Sequence, residues 1–253
     1  MGKVINRTGE EGINNFGSEI IIAEYRTSKD IDVYFPEYNW IAKGVQYKNF
    51  KIGNVKCPYE KRLYEIGYLG EGKYKTRDEN GLTLYYKTWN SMIRRCYSKH
   101  FKNNHITYKK STSCEEWLNF QNFGDWMENN YYEIEGEKMH LDKDILIKGN
   151  KIYSPETCIF VPQKINDLFV KKDNMRGEYP IGVYYDKKNN KYKASCKVSD
   201  CRIYKTFSTS DEAFKFYKKT KESYIKSMAE LYKHKIPNEL YEAMYSYEVD
   251  IND

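Results

Sequence analysis

Residues Lys191–Val198 have the sequence K-Y-K-A-S-C-K-V, in which charged or polar residues alternate with aromatic and apolar ones. Successive side chains of a β-strand point to opposite faces, so this spacing predicts a strand with two unlike faces. One face would be suited to a core and would carry Tyr192, Ala194 and Cys196. The other face would be cationic and would carry Lys191, Lys193, Ser195 and Lys197.

The sequence on either side predicts two more strands and a helix. Short strands are expected at Gly182–Tyr185 and Arg202–Phe207, separated from the central strand by turns at Asn189–Asn190 and Ser199–Asp200. Thr209 and Glu212 have the spacing of a capping box, which marks a helix start. Apolar residues then recur at helical spacing: Phe214, Tyr217, Ile225, Met228 and Leu231. Pro237 ends this helix, and a short last helix should carry Leu240 and Met244.

This part of the chain is also strongly basic. Between Lys171 and Lys205 there are 10 Lys or Arg and 4 Asp or Glu, a balance of 10 − 4 = +6 that equals the net charge of the whole chain. A cationic sheet face interleaved with tyrosines is suited to phosphate contact, and a β-sheet can enter the major groove of DNA. The alternative is an ordinary solvated, lysine-rich surface.

Four motifs here resemble the APETALA2-type DNA-binding domain of plant ethylene-response factors and phage homing endonucleases. They are Gly182-Val-Tyr-Tyr-Asp, Lys191-Tyr-Lys-Ala, Tyr204-Lys-Thr-Phe-Ser-Thr and Asp211-Glu-Ala-Phe-Lys-Phe-Tyr217. The resemblance covers about 45 residues and implies three strands packed on one helix, with strand residues contacting double-stranded DNA.

By position, the resemblance implies DNA contacts at Tyr184, Tyr192, Ser195, Lys197, Arg202 and Tyr204, and the cations Lys193 and Lys205 complete the expected set. The family usually has Arg or Trp at several of these positions. Tyr and Lys in their place favour phosphate contact over base-specific readout.

The middle of the chain predicts two helices with aromatic faces. Thr88 is expected to cap the first, whose apolar face is Trp89, Met92, Ile93 and Cys96. The second helix should carry a core stripe of Trp117, Leu118, Phe120, Phe123, Trp126 and Met127. His100 and His105 lie between Cys96 and Cys114, which leaves two readings open: a zinc site, or buried thiols in a core.

Residues Leu141–Pro162 predict a hairpin with two carboxylates, Asp142 and Asp144, on an apolar run that turns at Gly149–Asn150. A short helix should follow from Gln163 to Phe169. Carboxylates at such a hairpin can hold a metal, and they are equally typical of a solvated turn.

The order of several motifs resembles phage proteins similar to HNH homing endonucleases. The motifs are Trp89-Asn-Ser-Met-Ile-Arg-Arg-Cys-Tyr97, Cys114-Glu-Glu-Trp-Leu-Asn-Phe-Gln-Asn-Phe123, Leu141-Asp-Lys-Asp, Tyr153-Ser-Pro-Glu-Thr-Cys158 and Asn166. The resemblance covers about 80 residues. It implies a ββα unit in which one divalent metal, Mg²⁺ or another, supports phosphodiester hydrolysis.

The residues of that centre follow from the resemblance. Asp142 would be the strand ligand of the metal, Asn166 the helix ligand and Asp144 a further oxygen donor. The histidine position of the general base falls on Lys143, and the hairpin-fastening asparagine position falls on Thr157. His140 would share a strand face with Asp142 and is the candidate replacement base. A solvated lysine stays protonated at neutral pH and cannot be a general base.

These observations predict an α+β protein with three segments. Residues 1–60 form a β-rich module, since Ile31, Val33 and Phe35 alternate with polar residues after the apolar run Ile20–Tyr25. Residues 61–170 form the HNH-like unit with its helices, and residues 171–253 form the APETALA2-like module. No apolar run approaches the roughly 20 residues of a membrane span, and the polar amino terminus is unlike a signal peptide. A bacterial host cytoplasm and no membrane partner are therefore expected.

The functional expectation is a phage-type protein that binds double-stranded DNA, as an HNH-like homing endonuclease with an altered active site. The alternative is a catalytically inactive DNA-binding or regulatory protein built on the same fold, which would need no cofactor. A third hypothesis is a protein-interaction module with a tyrosine-rich surface, since the chain has 26 Tyr but only 11 Phe.

Overall fold

The computed structural model of the protein describes residues 6–170 and 177–251. The chain forms two compact units. The first contains the described residues up to Asn129 together with Ile152–Ser154, and the second contains Asn130–Lys151 and the described residues from Pro155 onward. Residue 60 lies within the first unit, and residues 61–170 are divided between the two units.

A four-stranded antiparallel sheet opens the first unit, and its strands lie side by side in chain order. The expected alternation is confirmed, because Ile31, Val33 and Phe35 are fully buried beside Ile20 and Ile22. The bounds are β1 (Glu11–Ile13), β2 (Glu19–Thr27), β3 (Asp30–Phe35) and β4 (Trp40–Val45), followed by the short helix α1 (Tyr47–Lys51).

A buried carboxylate joins this sheet to the segment that follows it. Glu60 accepts hydrogen bonds from Ser18 Oγ at 2.8 Å, from the Cys57 backbone N–H at 3.1 Å and from the Asn14 side chain. Its remaining partner is the Arg62 guanidinium, whose pKa is lowered by burial. A buried charge is tolerated only when it is paired and hydrogen-bonded, so this network fixes residues 57–62 against the sheet.

Three α-helices and several short strands follow in the remaining described part of the first unit. Its elements are β5 (Arg77–Asp78), β6 (Gly81–Leu82), α2 (Leu84–Tyr97), α3 (Lys99–Asn104), β7 (Thr112–Ser113), α4 (Phe120–Asn130) and β9 (Ile152–Tyr153), the last pairing in parallel with β7. The expected apolar face of α2 is confirmed, since Trp89, Met92, Ile93 and Cys96 are all buried.

The expected cap of α2 is wrong. Thr83 is the N-cap, because its hydroxyl accepts a hydrogen bond from the Tyr86 backbone N–H. Thr88 lies inside the helix, where its hydroxyl donates to the Leu84 carbonyl at 2.9 Å.

The aromatic stripe is core in part: Trp117 and Leu118 lie in a short 3₁₀ helix before α4 and not on it, and Leu118 and Trp126 are half-buried. Trp117, Phe120 and Phe123 are buried, and the Trp89 and Phe120 ring centroids lie 5.3 Å apart. The buried indole N–H of Trp89 donates to the Trp117 carbonyl at 2.7 Å, so this polar group keeps a partner inside the core.

The second unit begins with a strand pair and a helix. Strands β8 (Met139–Asp142) and β10 (Ile159–Pro162) are antiparallel, and α5 (Gln163–Phe169) follows β10 directly. Ile159, Val161 and Ile165 from β10 and α5 lie in one buried cluster with Ile225 and Leu240 of the carboxy-terminal helices.

A three-stranded antiparallel sheet packed on a helix completes the second unit, as expected. The strands are β11 (Val183–Asp186), β12 (Lys191–Val198) and β13 (Cys201–Phe207), with β12 central, and the helices are α6 (Ser210–Tyr232) and α7 (Asn238–Tyr245). The capping box of Thr209 and Glu212 is present. Of the apolar residues expected on the buried side of α6, Leu231 is 66% exposed and does not belong to the core.

Within the described residues, none of the helices has the length and apolar character that crossing a bilayer requires.

Gly182 is the tightest point of the contact between sheet and helix. Its φ is +76°, and a Cβ there would overlap the ring of Tyr217 on α6. Gly182→Ala should therefore lower the free energy of unfolding by about 2–4 kcal/mol, measured by urea denaturation. Gly149→Ala is the matched control: φ there is +83° with no atom near the added methyl, so only the backbone cost of about 1 kcal/mol applies. Equal losses in both variants would contradict the packing role.

Candidate nucleic-acid interface

The register of the carboxy-terminal sheet decides which expected DNA contacts share a surface. Tyr184 lies opposite Lys193, Ser195 opposite Tyr204, and Lys197 opposite Arg202. Directly opposed residues of antiparallel strands point to the same face. These six residues therefore lie together on the face away from α6, which we call the outer face: Tyr184, Lys193, Ser195, Lys197, Arg202 and Tyr204.

Tyr192 and Lys205, the other two expected contacts, lie on the opposite face. The Tyr192 ring packs 5.2 Å from Tyr185 and 5.3 Å from Tyr179, measured between centroids. The Lys205 ammonium lies 5.2 Å from the centroid of Phe216 on α6. Strand parity thus separates these two side chains from the outer face.

Cations and exposed aromatic rings are interleaved on the outer face. The Lys193 ammonium lies 5.0 Å from the Tyr204 ring centroid and 5.9 Å from that of Tyr184. These two tyrosines are 53% and 41% exposed, so large rings reach solvent beside a cation. Arg202 donates to Ser195 Oγ at 3.0 Å, which orients the guanidinium across the strands.

One end of the outer face carries a carboxylate beside a cation. The alternation of side chains along the strands would have predicted this from the sequence. Asp186 and Lys191 are opposed there, and Thr206 lies opposite Lys193. A hydrogen bond from Asn189 at 2.8 Å holds the pKa of the Asp186 carboxyl below its usual range. Asp186 therefore stays negative, and the cationic part of the surface runs from Lys193 to Arg202.

The hairpin residues lie on the strand pair that precedes α5. Asp142 is opposite Ile159, and His140 is opposite Val161. Ile159 and Val161 pack in the same cluster as Ile165 of α5. His140 and Asp142 therefore share the strand face that meets α5, and each is half-buried.

Asp142 shapes the start of the hairpin loop. Its Oδ1 accepts hydrogen bonds from the backbone N–H groups of Asp144 at 2.9 Å and Ile145 at 2.8 Å. Burial, and then the nearby charge of Asp144, raises the pKa of the Asp142 carboxyl to about 6. The surroundings of Asp142 thus favour the protonated, neutral form of its carboxyl group.

Lys143 is not the solvated lysine that the sequence led us to expect. It is only 6% exposed, and its ammonium donates to Asp144 Oδ2 at 3.1 Å. Its carbonyl accepts from the Asn150 side chain at 2.7 Å, which closes the loop back on its own start. Lys143 and Asp144 therefore neutralise each other in the place where a nuclease would keep its base and an additional metal ligand.

The remaining expected residues lie further along the same unit. Asn166 is half-buried on α5, next to the core residue Ile165. Thr157 lies in the turn before β10, and its hydroxyl is 4.0 Å from Cys158 Sγ.

A divalent metal does not fit the donors that surround Asp142. Within residues 6–170 and 177–251, no group of three or more His, Cys, Asp or Glu side chains is arranged to hold a metal ion, which also leaves the zinc alternative at Cys96 and Cys114 without support. One oxygen of Asp142 accepts hydrogen bonds from two backbone N–H groups, and Asp144 is ion-paired with the Lys143 ammonium. A positive Lys143 beside Asp142 also opposes a second cation.

The raised pKa of Asp142 predicts a pH-dependent gain from removing its charge. Between its ordinary value of 3.8 and about 6, the folded state binds a proton that the unfolded state does not, so rising pH destabilises the fold. Asp142→Asn keeps the Oδ1 acceptor without the charge. Urea denaturation should show Asp142→Asn more stable than wild type by about 1–3 kcal/mol at pH 7, with no difference at pH 4.

Asp144→Asn is the matched control for that measurement. It removes an ion-pair partner of the buried Lys143, so it should lower stability at pH 7 instead of raising it. A stability difference for Asp142→Asn that is equal at pH 4 and pH 7 would contradict the assignment.

The chain matches no known protein-family model, and no curated protein or solved structure is significantly similar to it.

Proposed function

We propose that the protein binds double-stranded DNA through the outer face of its carboxy-terminal sheet. The observation that carries the proposal is the division of this sheet into two unlike faces. Ala194 and Cys196 are buried against α6, while Lys193, Lys197 and Arg202 lie together on the other side with two exposed tyrosines.

The dimensions of the sheet suit a DNA groove. Neighbouring strands are about 4.8 Å apart, so three strands span about 10 Å, close to the roughly 12 Å width of the major groove. Lysines supply sequence-independent phosphate contacts, and an arginine can also bond the edge of a guanine. Exposed tyrosines add hydroxyl contacts to phosphates and apolar contacts to bases. Binding should therefore weaken steeply as salt rises.

Removing Lys193, Lys197 and Arg202, the cations in the part of the outer face from Lys193 to Arg202, tests this proposal. In Lys193→Gln/Lys197→Gln/Arg202→Gln, the slope of log K against log salt should fall by between about 2 and 3, because each lost phosphate contact removes about 0.9. The measurement is fluorescence anisotropy of a labelled duplex at several salt concentrations. We call this triple substitution the sheet variant.

The matched control removes three exposed lysines of the first unit: Lys99→Gln/Lys109→Gln/Lys110→Gln. It changes the net charge by the same amount and should leave both affinity and slope close to those of wild type. A control that loses as much affinity as the sheet variant would mean that net charge, and not the outer face, determines binding. Tight wild-type binding that is insensitive to salt would also contradict the proposal.

Metal-dependent endonuclease activity is the second candidate function. The arrangement of β8, β10 and α5, with His140 and Asp142 on the face that meets the helix, favours it. Two features weigh against nuclease activity: Asp142 Oδ1 is already hydrogen-bonded to the backbone, and Asp144 is ion-paired with Lys143. We therefore expect a protein that binds DNA without cutting it, which corresponds to the regulatory alternative.

A plasmid-nicking assay separates the two candidates. Wild type and Asp142→Asn are each incubated with supercoiled DNA and Mg²⁺, with and without EDTA. We expect equal, background-level nicking in all four reactions. Nicking by wild type that both EDTA and Asp142→Asn abolish would establish the nuclease instead.

A further inference from the structure

The long helix α6 carries a second basic surface that the outer face does not use. Lys215, Lys219 and Lys226 are all exposed, and their separations of four and seven residues place them on one side of the helix. We call these three residues the lysine stripe. They border a shallow groove of about 320 Å³ that is lined only by α6 side chains: Lys215, Lys218, Lys219, Glu222, Ser223 and Lys226.

The positive charge of the lysine stripe is not compensated by neighbouring acids. In the described part of the chain, none of the three lysines is ion-paired. Glu222 is the acidic member of the groove, and it is already occupied: it binds the Lys218 ammonium at 3.0 Å and accepts from the Val249 backbone N–H at 2.8 Å. The groove is therefore suited to an anion.

The lysine stripe and the outer face point in opposite directions. α6 packs on the inner face of the sheet through Ala213, Phe214 and Tyr217, which belong to the same buried cluster as Ala194 and Cys196. Each helical residue turns the side-chain direction by about 100°, so Lys215 and Lys219 lie on the side away from that contact. The sheet and the helix thus separate two basic surfaces.

The length of the lysine stripe suits contact with more than one phosphate. Lys215 and Lys226 are eleven residues apart, which is about 16 Å along the helix axis. One strand of a duplex advances about 3.4 Å of axis per phosphate and winds around that axis once in about 34 Å. The straight stripe therefore follows one strand over only part of its length, where its lysines can contact neighbouring phosphates.

We propose that the lysine stripe binds the phosphate backbone of a second DNA duplex, so that the carboxy-terminal module bridges two duplexes. This inference rests on the proposed function, because the first duplex lies on the outer face. A single duplex cannot reach both surfaces at low cost: bending 20–30 base pairs by only 40–90° already costs on the order of 1–6 kcal/mol, and opposite surfaces need a larger bend.

A bead-capture assay tests bridging. A biotinylated duplex is fixed to beads, the full-length protein is added below saturation, and capture of a second, fluorescent duplex is measured. Wild type should capture the second duplex. Lys215→Gln/Lys219→Gln/Lys226→Gln, the stripe variant, should bind a single duplex within about twofold of wild type, since the outer face remains as the tighter of the two sites, yet capture at least fivefold less of the second.

Two outcomes would overturn the proposal: no capture by wild type, or equal capture by wild type and the stripe variant. Thermal unfolding confirms that the stripe variant is folded, and the first-unit variant Lys99→Gln/Lys109→Gln/Lys110→Gln controls for charge. Failure of the proposed function has its own signature. In that case the sheet variant binds a single duplex as tightly as wild type. If only bridging fails, the sheet variant still binds a single duplex more weakly than wild type, and wild type captures either no second duplex or the same amount as the stripe variant.

Discussion

The burial of one face of β12 is the constraint on which the carboxy-terminal module depends. Ala194 and Cys196 are small enough for α6 to pack closely, and they are almost completely inaccessible to water. The same burial raises the pKa of the Cys196 thiol and lowers that of the Lys221 ammonium, so both groups are biased towards their neutral forms within this contact. The charged residues of β12 are left on the outside by parity alone.

The hairpin shows that a carboxylate can have a structural role instead of a catalytic one. Asp142 ends β8 by accepting two backbone N–H groups, and these bonds define where the loop begins. Lys143 and Asn150 then close that loop from within. In this arrangement the residues that a nuclease would use for chemistry hold the loop together, so loop architecture alone accounts for their positions.

Local periodicity was predictable from the sequence, and properties set by tertiary contacts were not. The two faces of β12, the capping box at Thr209 and the buried face of α2 follow from spacing alone. The cap of α2 depends on the preceding hairpin, which places Thr83 at the helix start. Tyr192 was carried over by resemblance although strand parity excludes it from the outer face, and the burial of Lys143 depends on a loop closure that no local pattern encodes.

The position of Lys193 between two tyrosine rings has a thermodynamic consequence. A free lysine side chain loses up to about 2 kcal/mol of rotamer entropy when a ligand immobilises it. Contacts with Tyr184 and Tyr204 restrict this side chain before any ligand arrives. Part of that ordering therefore belongs to folding, so an anion that bound at Lys193 would cost this side chain less entropy. Lys193 is in this sense a preorganised cation.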